Sequence, residues 1–285
     1  MTAKTQPVFR FAPSPNGHLH LGHAYSALLT NRIAQHFGGQ TLLRIEDIDV
    51  LRCTPELVDQ MLEDLAWIGF EYQGTPLKQS DQFDRYRAAA DTLKQRGLIY
   101  PCFCSRKQIR ENADGRKDPD GAPIYPGICR HLSADEIATK MAQNLPHSWR
   151  LNMQKALAET GTPQWREVQD DLKTINIISA DPMAWGDVVL VRKDTPTSYH
   201  LSVVLDDALQ HVTHVTRGKD LYFATAIHRV LQTLLNLPEP LYHHHELIRD
   251  DAAEKLSKSK KSQSLKELRD LGWSAQQVRA AIEMD

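Results

Sequence analysis

Two polar segments near opposite ends of the 285-residue chain carry residue types suited to phosphate binding. The first runs from Arg10 to His23 and places His20 and His23 on either side of Gly22. Its prolines and glycines predict a turn after a short strand, and a helix that opens near His20. The N–H groups and dipole of a helix N-terminus favour an anion, and glycine lets a ligand approach closely. We therefore predict a nucleotide cradle around His20 and His23.

The second segment, Lys255–Ser259, places two lysines in a polar loop. Such a loop suits a mobile clamp on a triphosphate whose charge grows in the transition state, and Lys258 is the residue we assign to it. Each segment alone has an ordinary alternative, since paired histidines are often surface or core residues and lysine–serine runs are often solvated loops. Their joint occurrence in this order favours the two halves of one ATP site in an adenylate-forming enzyme.

These segments resemble the HIGH and KMSKS signatures of the class I aminoacyl-tRNA synthetases. Arg10–Pro15, Arg44–Asp49 and Val204–Gly218 resemble the glutamate-specific branch. The resemblance implies an α/β, Rossmann-type class I synthetase catalytic domain with an inserted acceptor-type subdomain. It also implies that the catalytic residues are His20, His23 and Lys258. The ATP-binding residues that it implies are Pro13, Gly17, His20, Gly22, His23, Lys255, Ser257, Lys258 and Ser259.

A glutamate pocket needs cationic partners for carboxylates and an anionic partner for the α-ammonium group. The resemblance assigns this pocket to Arg10, Ala12, Ser14, Glu46, Tyr199 and Arg217. Arg10 and Arg217 would bind glutamate, and Glu46 would face its amino group. Each residue also has an ordinary interpretation. The arginines could form surface ion pairs, Glu46 could pair with Arg44 or Arg52, and Tyr199 could be a core residue.

A second group of potential ligands comprises Cys102, Cys104, Tyr125 and Cys129. Thiolates at this spacing, with one further donor, could form a tetrahedral zinc site, although reduced buried cysteines are the alternative on spacing alone. Glutamate-branch relatives include members with a Cys-x-Cys…Tyr-x-x-x-Cys site. The resemblance therefore implies a structural Zn²⁺ ion. Cys53 lies outside this group and is expected to be a packing residue.

The composition indicates a globular protein, with 41% hydrophobic and 25% charged residues. The sequence has neither an apolar run long enough to span a bilayer nor an apolar N-terminal signal, so we expect a cytoplasmic protein. A net charge of −2 gives no global indication of a nucleic-acid partner. Any phosphate-binding surface must therefore be local.

The order of predicted elements favours a parallel sheet with crossover helices. Turn, capping and periodicity signals predict a strand over 8–12, helices over 55–69 and about 80–97, strands over 187–192 and about 201–215, a helix over 220–235, and two C-terminal helices around Gly272. We divide the chain into the first half of the catalytic domain (1–100), an inserted subdomain (101–186), the second half of the catalytic domain (187–240), and the clamp loop with C-terminal helices (241–285).

Few residues follow Ser259, enough for one or two helices, so we expect no anticodon-binding domain. That short architecture resembles the glutamyl-queuosine tRNA(Asp) synthetase family. The resemblance implies a monomer that uses ATP and Mg²⁺ to activate L-glutamate and transfers it to queuosine-containing tRNA(Asp). Three alternatives stay open: a truncated synthetase that charges a 3′ end, a glutamate ligase acting on a small molecule or carrier, and a non-catalytic RNA-binding module.

Overall fold

The structure, a computed structural model, describes residues 6–248 and 263–284. Strands and helices alternate along these ranges, as the predicted α/β class requires. The strands are β1 (Val8–Phe11), β2 (Gln40–Ile45), β3 (Leu77–Lys78), β4 (Ile99–Cys102), β5 (Ser148–Leu151), β6 (Gln164–Val168), β7 (Ile175–Ser179), β8 (Val189–Val191), β9 (His214–Gly218) and β10 (Leu241–His245). The helices are α1 (Leu21–His36), α2 (Pro55–Ile68), α3 (Phe83–Gln95), α4 (Arg106–Asn112), α5 (Ala134–Ala142), α6 (Met153–Thr160), α7 (Tyr199–Leu209), α8 (Thr225–Leu234), α9 (Leu265–Asp270) and α10 (Ala275–Ala281).

A mostly parallel sheet forms the centre of the fold. Strands β1, β2 and β3 pair in parallel, and so do β9, β10 and β6, while β7 adds an antiparallel edge. The two parts meet at β1, where the backbone N–H of Thr213 donates to the carbonyl oxygen of Val8 at 2.9 Å. Because neighbouring parallel strands end at the same edge of a sheet, the residues after β1, β2, β9 and β10 come together.

A smaller antiparallel sheet has the order β4-β5-β8, and between β5 and β8 the chain returns to the central sheet as β6 and β7. The long connection between β4 and β5 belongs to the predicted inserted subdomain. Among residues 6–248 and 263–284, no helix is long and apolar enough to cross a membrane.

Local sequence signals place several helix ends correctly. Thr54 accepts a hydrogen bond from the backbone of Leu57 at the start of α2, and Gly69 ends that helix with a φ of +80°, which glycine adopts without strain. Tyr86 and Leu93 on α3 are buried, and they form part of the face that this helix turns to the core. The two C-terminal helices, α9 and α10, are also confirmed.

The predicted strand around 201–215 is wrong over its first half, because Tyr199–Leu209 is the helix α7. A continuous apolar run rich in valine is compatible with either a buried strand or a buried helix. Here the run is buried on nearly every side, from Leu201 to Asp207. Only the second half forms a strand, β9.

Two aspartates on α7 tie the helix to the sheet and to its flanking elements. Asp207 Oδ1 accepts hydrogen bonds from Arg10 Nε at 3.0 Å and from Arg44 Nη2 at 2.6 Å. Asp206 accepts from the hydroxyl of Tyr86 and from the amide of Gln79. All these groups are buried, so their charges and dipoles must be paired within the protein.

We expect Asp207→Ala to lower the free energy of unfolding by about 3 kcal/mol, because it leaves two buried guanidinium groups without their shared carboxylate. Urea denaturation of the wild type and the variant measures this loss. Asp84→Ala is the matched control, since Asp84 forms an exposed ion pair with Arg87 and its loss should change stability little. Equal effects of the two substitutions would contradict the structural role of Asp207.

Candidate active site

A cavity of about 330 Å³ opens at the edge where β1, β2, β9 and β10 end, beside the N-terminus of α1. It brings together residues that lie far apart in the sequence. The predicted site residues that line it are Arg10, Ala12, Pro13, Ser14, His20, Gly22, His23, Glu46, Tyr199 and Arg217. Gly17 is exposed in the turn before α1 and does not line the cavity. Lys255, Ser257, Lys258 and Ser259 lie outside the described residues.

The N-terminus of α1 holds the two predicted cradle histidines in defined tautomers. His20 caps the helix, and its Nδ1 accepts the backbone N–H of Gly22 at 3.1 Å. The backbone N–H of His20 in turn donates to Nδ1 of His23 at 3.2 Å. In the neutral rings the proton must therefore reside on Nε2. Both histidines are thus prepared to donate an Nε2–H hydrogen bond.

The environment keeps these imidazoles neutral. Burial, followed by the neighbouring His20, lowers the pKa of His23 to about 4, and partial burial lowers the pKa of His20. The first turn of α1 contains no acidic residue. A Cβ on Gly22 would lie 3.1 Å from Cε1 of His20, so glycine leaves room for the capping ring. The arrangement offers neutral donors and a helix dipole to an anion.

Arg10 is not a surface residue, which excludes the interpretation that it forms a surface ion pair. It is 4% exposed and lies at the end of β1. Besides its contact with Asp207, its Nη1 donates to the carbonyl oxygen of Thr216 at 3.4 Å. Arg10 therefore reaches the cavity wall from a position held by both α7 and β9.

Arg217 is buried at the end of β9, and its direct partners are neutral. Its guanidinium donates to Nε2 of His244 at 3.0 Å and to the hydroxyl of Thr225 at 2.6 Å. It also contacts Nδ1 of His228 at 3.1 Å and the hydroxyl of Tyr199 at 3.4 Å. Within the described ranges, no carboxylate forms an ion pair with it. Its charge is thus oriented but not cancelled by direct contact.

Glu46 follows β2 and is held by its backbone, which donates to the carbonyl oxygen of Pro13 at 3.0 Å. Its two suggested ion-pair partners are engaged elsewhere, Arg44 with Asp207 and Arg52 with Asp49. Burial raises the pKa of Glu46 to about 7, although the nearby arginines act in the opposite direction. A cationic group bound beside Glu46 would favour its ionised form.

The structure also reveals cavity residues that sequence reasoning did not identify. His245 lines the cavity, and its Nε2 lies 3.1 Å from the hydroxyl of Ser26 on α1. His245 is the last of three consecutive histidines, the tract His243–His245. The tract forms the end of β10, beside β9, and the register of those two strands brings it to the site. Thr216 and Asp220 also line the cavity.

A cluster of sulfur atoms lies away from the cavity, at the end of β4. Ligand atoms of Cys102, Cys104 and Cys129 all lie within 4.8 Å of one another. The sulfur of Cys104 is 3.5 Å from that of Cys129 and 3.7 Å from the hydroxyl of Tyr125. Zn–S bonds of about 2.3 Å imply ligand separations of about 3.8 Å in a tetrahedron. The four predicted ligands therefore come together, whereas Cys53 is separate and buried near Ser14.

The fold and the cavity are those of a known class of protein. The family model described as tRNA synthetases class I (E and Q), catalytic domain, matches residues 7–284. The chain therefore belongs to the class I tRNA synthetase family.

Within this family it is similar to proteins named glutamyl-Q tRNA(Asp) synthetase. The Rhodobacter capsulatus protein is 46% identical over 96% of this chain and 99% of its own length. The Nocardia farcinica protein is 38% identical over 96% of this chain and 82% of its own length.

Solved structures agree with this fold. The glutamate-tRNA synthetase of Elizabethkingia anophelis superposes with a TM-score of 0.70 at 25% identity. The match covers 94% of this chain and 54% of that enzyme, so the chain spans about half of its length. The glutamate tRNA ligase of Elizabethkingia meningosepticum, at 24% identity and a TM-score of 0.69, has the same fold over 94% of this chain and 53% of its own. The predicted Rossmann-type fold class and the predicted family are confirmed.

We expect both His20 and His23 to be in the Nε2–H tautomer at neutral pH, because both Nδ1 atoms accept backbone hydrogen bonds. Long-range ¹H–¹⁵N NMR spectra report the tautomer directly. His23 should become charged only near pH 4. Tripolyphosphate should raise both pKa values, since a bound anion favours the charged imidazole. Titration of His23 near pH 6.5 without phosphate would contradict the described geometry.

Proposed function

We propose that this protein activates L-glutamate with ATP and transfers the glutamyl group to the queuosine base of tRNA(Asp). The observation that carries the proposal is the cavity itself, where Arg217, with only neutral direct partners, lies near two neutral histidines at a helix N-terminus. An uncancelled buried cation favours an anionic ligand. The names of the similar proteins indicate the same substrates.

In this proposal Arg10 and Arg217 bind carboxylate groups of glutamate, and Glu46 binds its ammonium group. The positions of the three side chains on different strand ends support the assignment. Ala12 and Ser14 lie in the loop after β1 and line the same cavity, and Tyr199 lines it beside Arg217. The ammonium group of the substrate would form an ion pair with Glu46 and would lower the pKa of that carboxyl group.

We propose that ATP binds across the N-terminus of α1. His20 and His23 would donate to phosphate oxygens through Nε2–H, and Gly22 would admit the phosphate chain to the backbone. Pro13 and Gly17 belong to the preceding turn. The remaining ATP contacts would come from Lys255, Ser257, Lys258 and Ser259. Mg²⁺ would bind with ATP, since this ion usually binds substrate phosphates together with only one or two carboxylates.

The proposed reaction needs positioning and charge stabilisation rather than a covalent enzyme intermediate. An oxygen of the glutamate α-carboxylate attacks the α-phosphorus of ATP, and pyrophosphate leaves with the electron pair of the broken P–O bond. A hydroxyl of the acceptor then attacks the carbonyl carbon of the mixed anhydride, releasing AMP and a proton. His20 and His23 would stabilise the phosphate charge in the first step.

We also propose that Cys102, Cys104, Cys129 and Tyr125 hold a structural zinc ion. The separations of their ligand atoms support a tetrahedral site. The ion would join β4 to the turn that carries Cys129. The division of the chain into the predicted segments, a monomeric state and a cytoplasmic location stay predictions.

We expect the protein to catalyse glutamate-dependent ATP–pyrophosphate exchange without RNA, and to label only tRNA(Asp) that contains queuosine. Radiolabelled glutamate, ATP and tRNA from cells with or without queuosine synthesis provide the measurement. Periodate treatment of the 3′ end would modify queuosine as well, so nuclease removal of the terminal adenosine is the better control. The label should survive that removal.

Two other results would overturn the proposed acceptor. Labelling of tRNA(Glu) that is lost with its 3′ adenosine would indicate a conventional charging enzyme. Transfer to a small molecule without RNA would indicate a glutamate ligase.

Elemental analysis of protein purified without chelator should find about one zinc per chain. Cys104→Ser should reduce the zinc content and the stability of the insertion, because it removes one of the ligands. Tyr125→Phe tests the fourth ligand separately, and Cys53→Ser is the matched control outside the cluster. A metal-free and fully active wild type would show that these cysteines are packing residues.

A further inference from the structure

We propose that Glu167 is a positioning residue for glutamate recognition, acting through His244 on the guanidinium of Arg217. The inference rests on the proposed function, because it assigns Arg217 to the amino-acid pocket. Glu167 lies on β6, His244 on the neighbouring strand β10, and Arg217 on β9. The three side chains thus cross the carboxyl ends of adjacent parallel strands.

Three donor groups from two residues contact the carboxylate of Glu167. Its Oε1 accepts the backbone N–H of His244 at 2.8 Å, and its Oε2 accepts the indole N–H of Trp165 at 2.9 Å. Nδ1 of His244 lies 3.0 Å from Oε1 and 2.9 Å from Oε2. Burial would raise the pKa of this carboxyl, but these hydrogen bonds lower it. Glu167 is therefore ionised at neutral pH.

The carboxylate determines the tautomer of His244. Since Glu167 can only accept, Nδ1 of His244 must carry the proton. Nε2 is then a lone-pair acceptor, and it faces Nε of Arg217 at 3.0 Å. Burial lowers the pKa of His244 to about 4, despite the opposing effect of Glu167, so the ring is neutral at pH 7. Glu167 thereby makes the imidazole an acceptor for Arg217.

A second imidazole holds the other side of the guanidinium. Nη1 of Arg217 donates to Nδ1 of His228, so His228 carries its proton on Nε2, which faces Nδ1 of His200 at 3.3 Å. Nη2 donates to Thr225 at 2.6 Å. Burial, together with Arg217, lowers the pKa of His228 well below its usual value. Arg217 is thus oriented at all three nitrogens by neutral groups.

This arrangement orients the guanidinium group of Arg217 without cancelling its charge by direct contact with a carboxylate. A carboxylate in direct contact with Arg217 would fix its direction but would also cancel the charge that attracts a substrate carboxylate. With His244 interposed, Glu167 supplies the negative charge one imidazole away. Second contacts of this kind orient a primary ligand and tune its strength. Loss of the carboxylate should therefore weaken substrate binding more than it slows the chemical step.

The test is steady-state ATP–pyrophosphate exchange by the full-length protein. We expect Glu167→Gln to raise KM for glutamate about tenfold, as loss of one charge-assisted contact would. The KM for ATP and kcat should stay within about twofold of wild type, because Arg217 binds substrate and transition state alike. Trp165→Phe is the matched control. It removes the other side-chain donor to Glu167, preserves the contact with His244, and should leave KM for glutamate unchanged.

Two substitutions of His244 test its contact with Glu167 and its contact with Arg217 separately. His244→Asn can keep a donor towards Glu167 but loses the acceptor for Arg217, so it should raise KM for glutamate. His244→Gln can restore an acceptor near the position of Nε2 and should recover part of the affinity. In the wild type, ¹⁵N NMR should show Nδ1 of His244 protonated at pH 7.

Several results would overturn the inference. They are an unchanged KM for glutamate in Glu167→Gln, an equal rise in both KM values, and an Nε2–H tautomer of His244 in the wild type. If Glu167→Gln does not fold, His244→Asn provides the same comparison. A wild type without glutamate-dependent exchange would instead refute the proposed function, and the NMR result would still show whether His244 has the tautomer that its contacts with Glu167 and Arg217 require.

Discussion

The carboxylate of Asp207 accepts hydrogen bonds from arginines on two neighbouring strands, and this contact holds Arg10 in the wall of the cavity. Arg10 and Arg44 are buried, so their charges are tolerable only because Asp207 pairs with both. The shared partner fixes α7 against β1 and β2. The same contact therefore helps to hold in place Arg10 on β1, Glu46 directly after β2 and Tyr199 at the start of α7, which all line the cavity.

Other charged and polar groups around the cavity are also held ready for a ligand. Arg217 keeps its charge among neutral partners, and Glu46 lacks a described ion-pair partner and has a raised pKa. The capping hydrogen bonds of α1 leave His20 and His23 with Nε2–H facing away from the helix backbone. A ligand with carboxylate, ammonium and phosphate groups would complete each of these contacts. Preorganised groups of this kind lose little energy to rearrangement when a substrate binds.

Helix ends were predictable where a single local group determines them. Thr54 and Gly69 bound α2 because capping depends on a side-chain oxygen and on a positive φ within one turn. The strand predicted around 201–215 failed for the opposite reason. Its valines and leucines face protein on both sides of α7, so no polar face gives the helical period. Burial in the complete fold, rather than local preference, decides that element.

The sequence by itself determined the family, the two signature segments and the types of group that a glutamate and ATP site needs. These features depend on which residue types lie close together in the sequence, so they can be read from the sequence without a structure. Only the tertiary structure decided which buried groups meet. The contact of Glu167 with His244 and that of His244 with Arg217 join three strands. No local pattern predicts them, because their partners are chosen by strand order and register, and these follow from packing of the whole sheet.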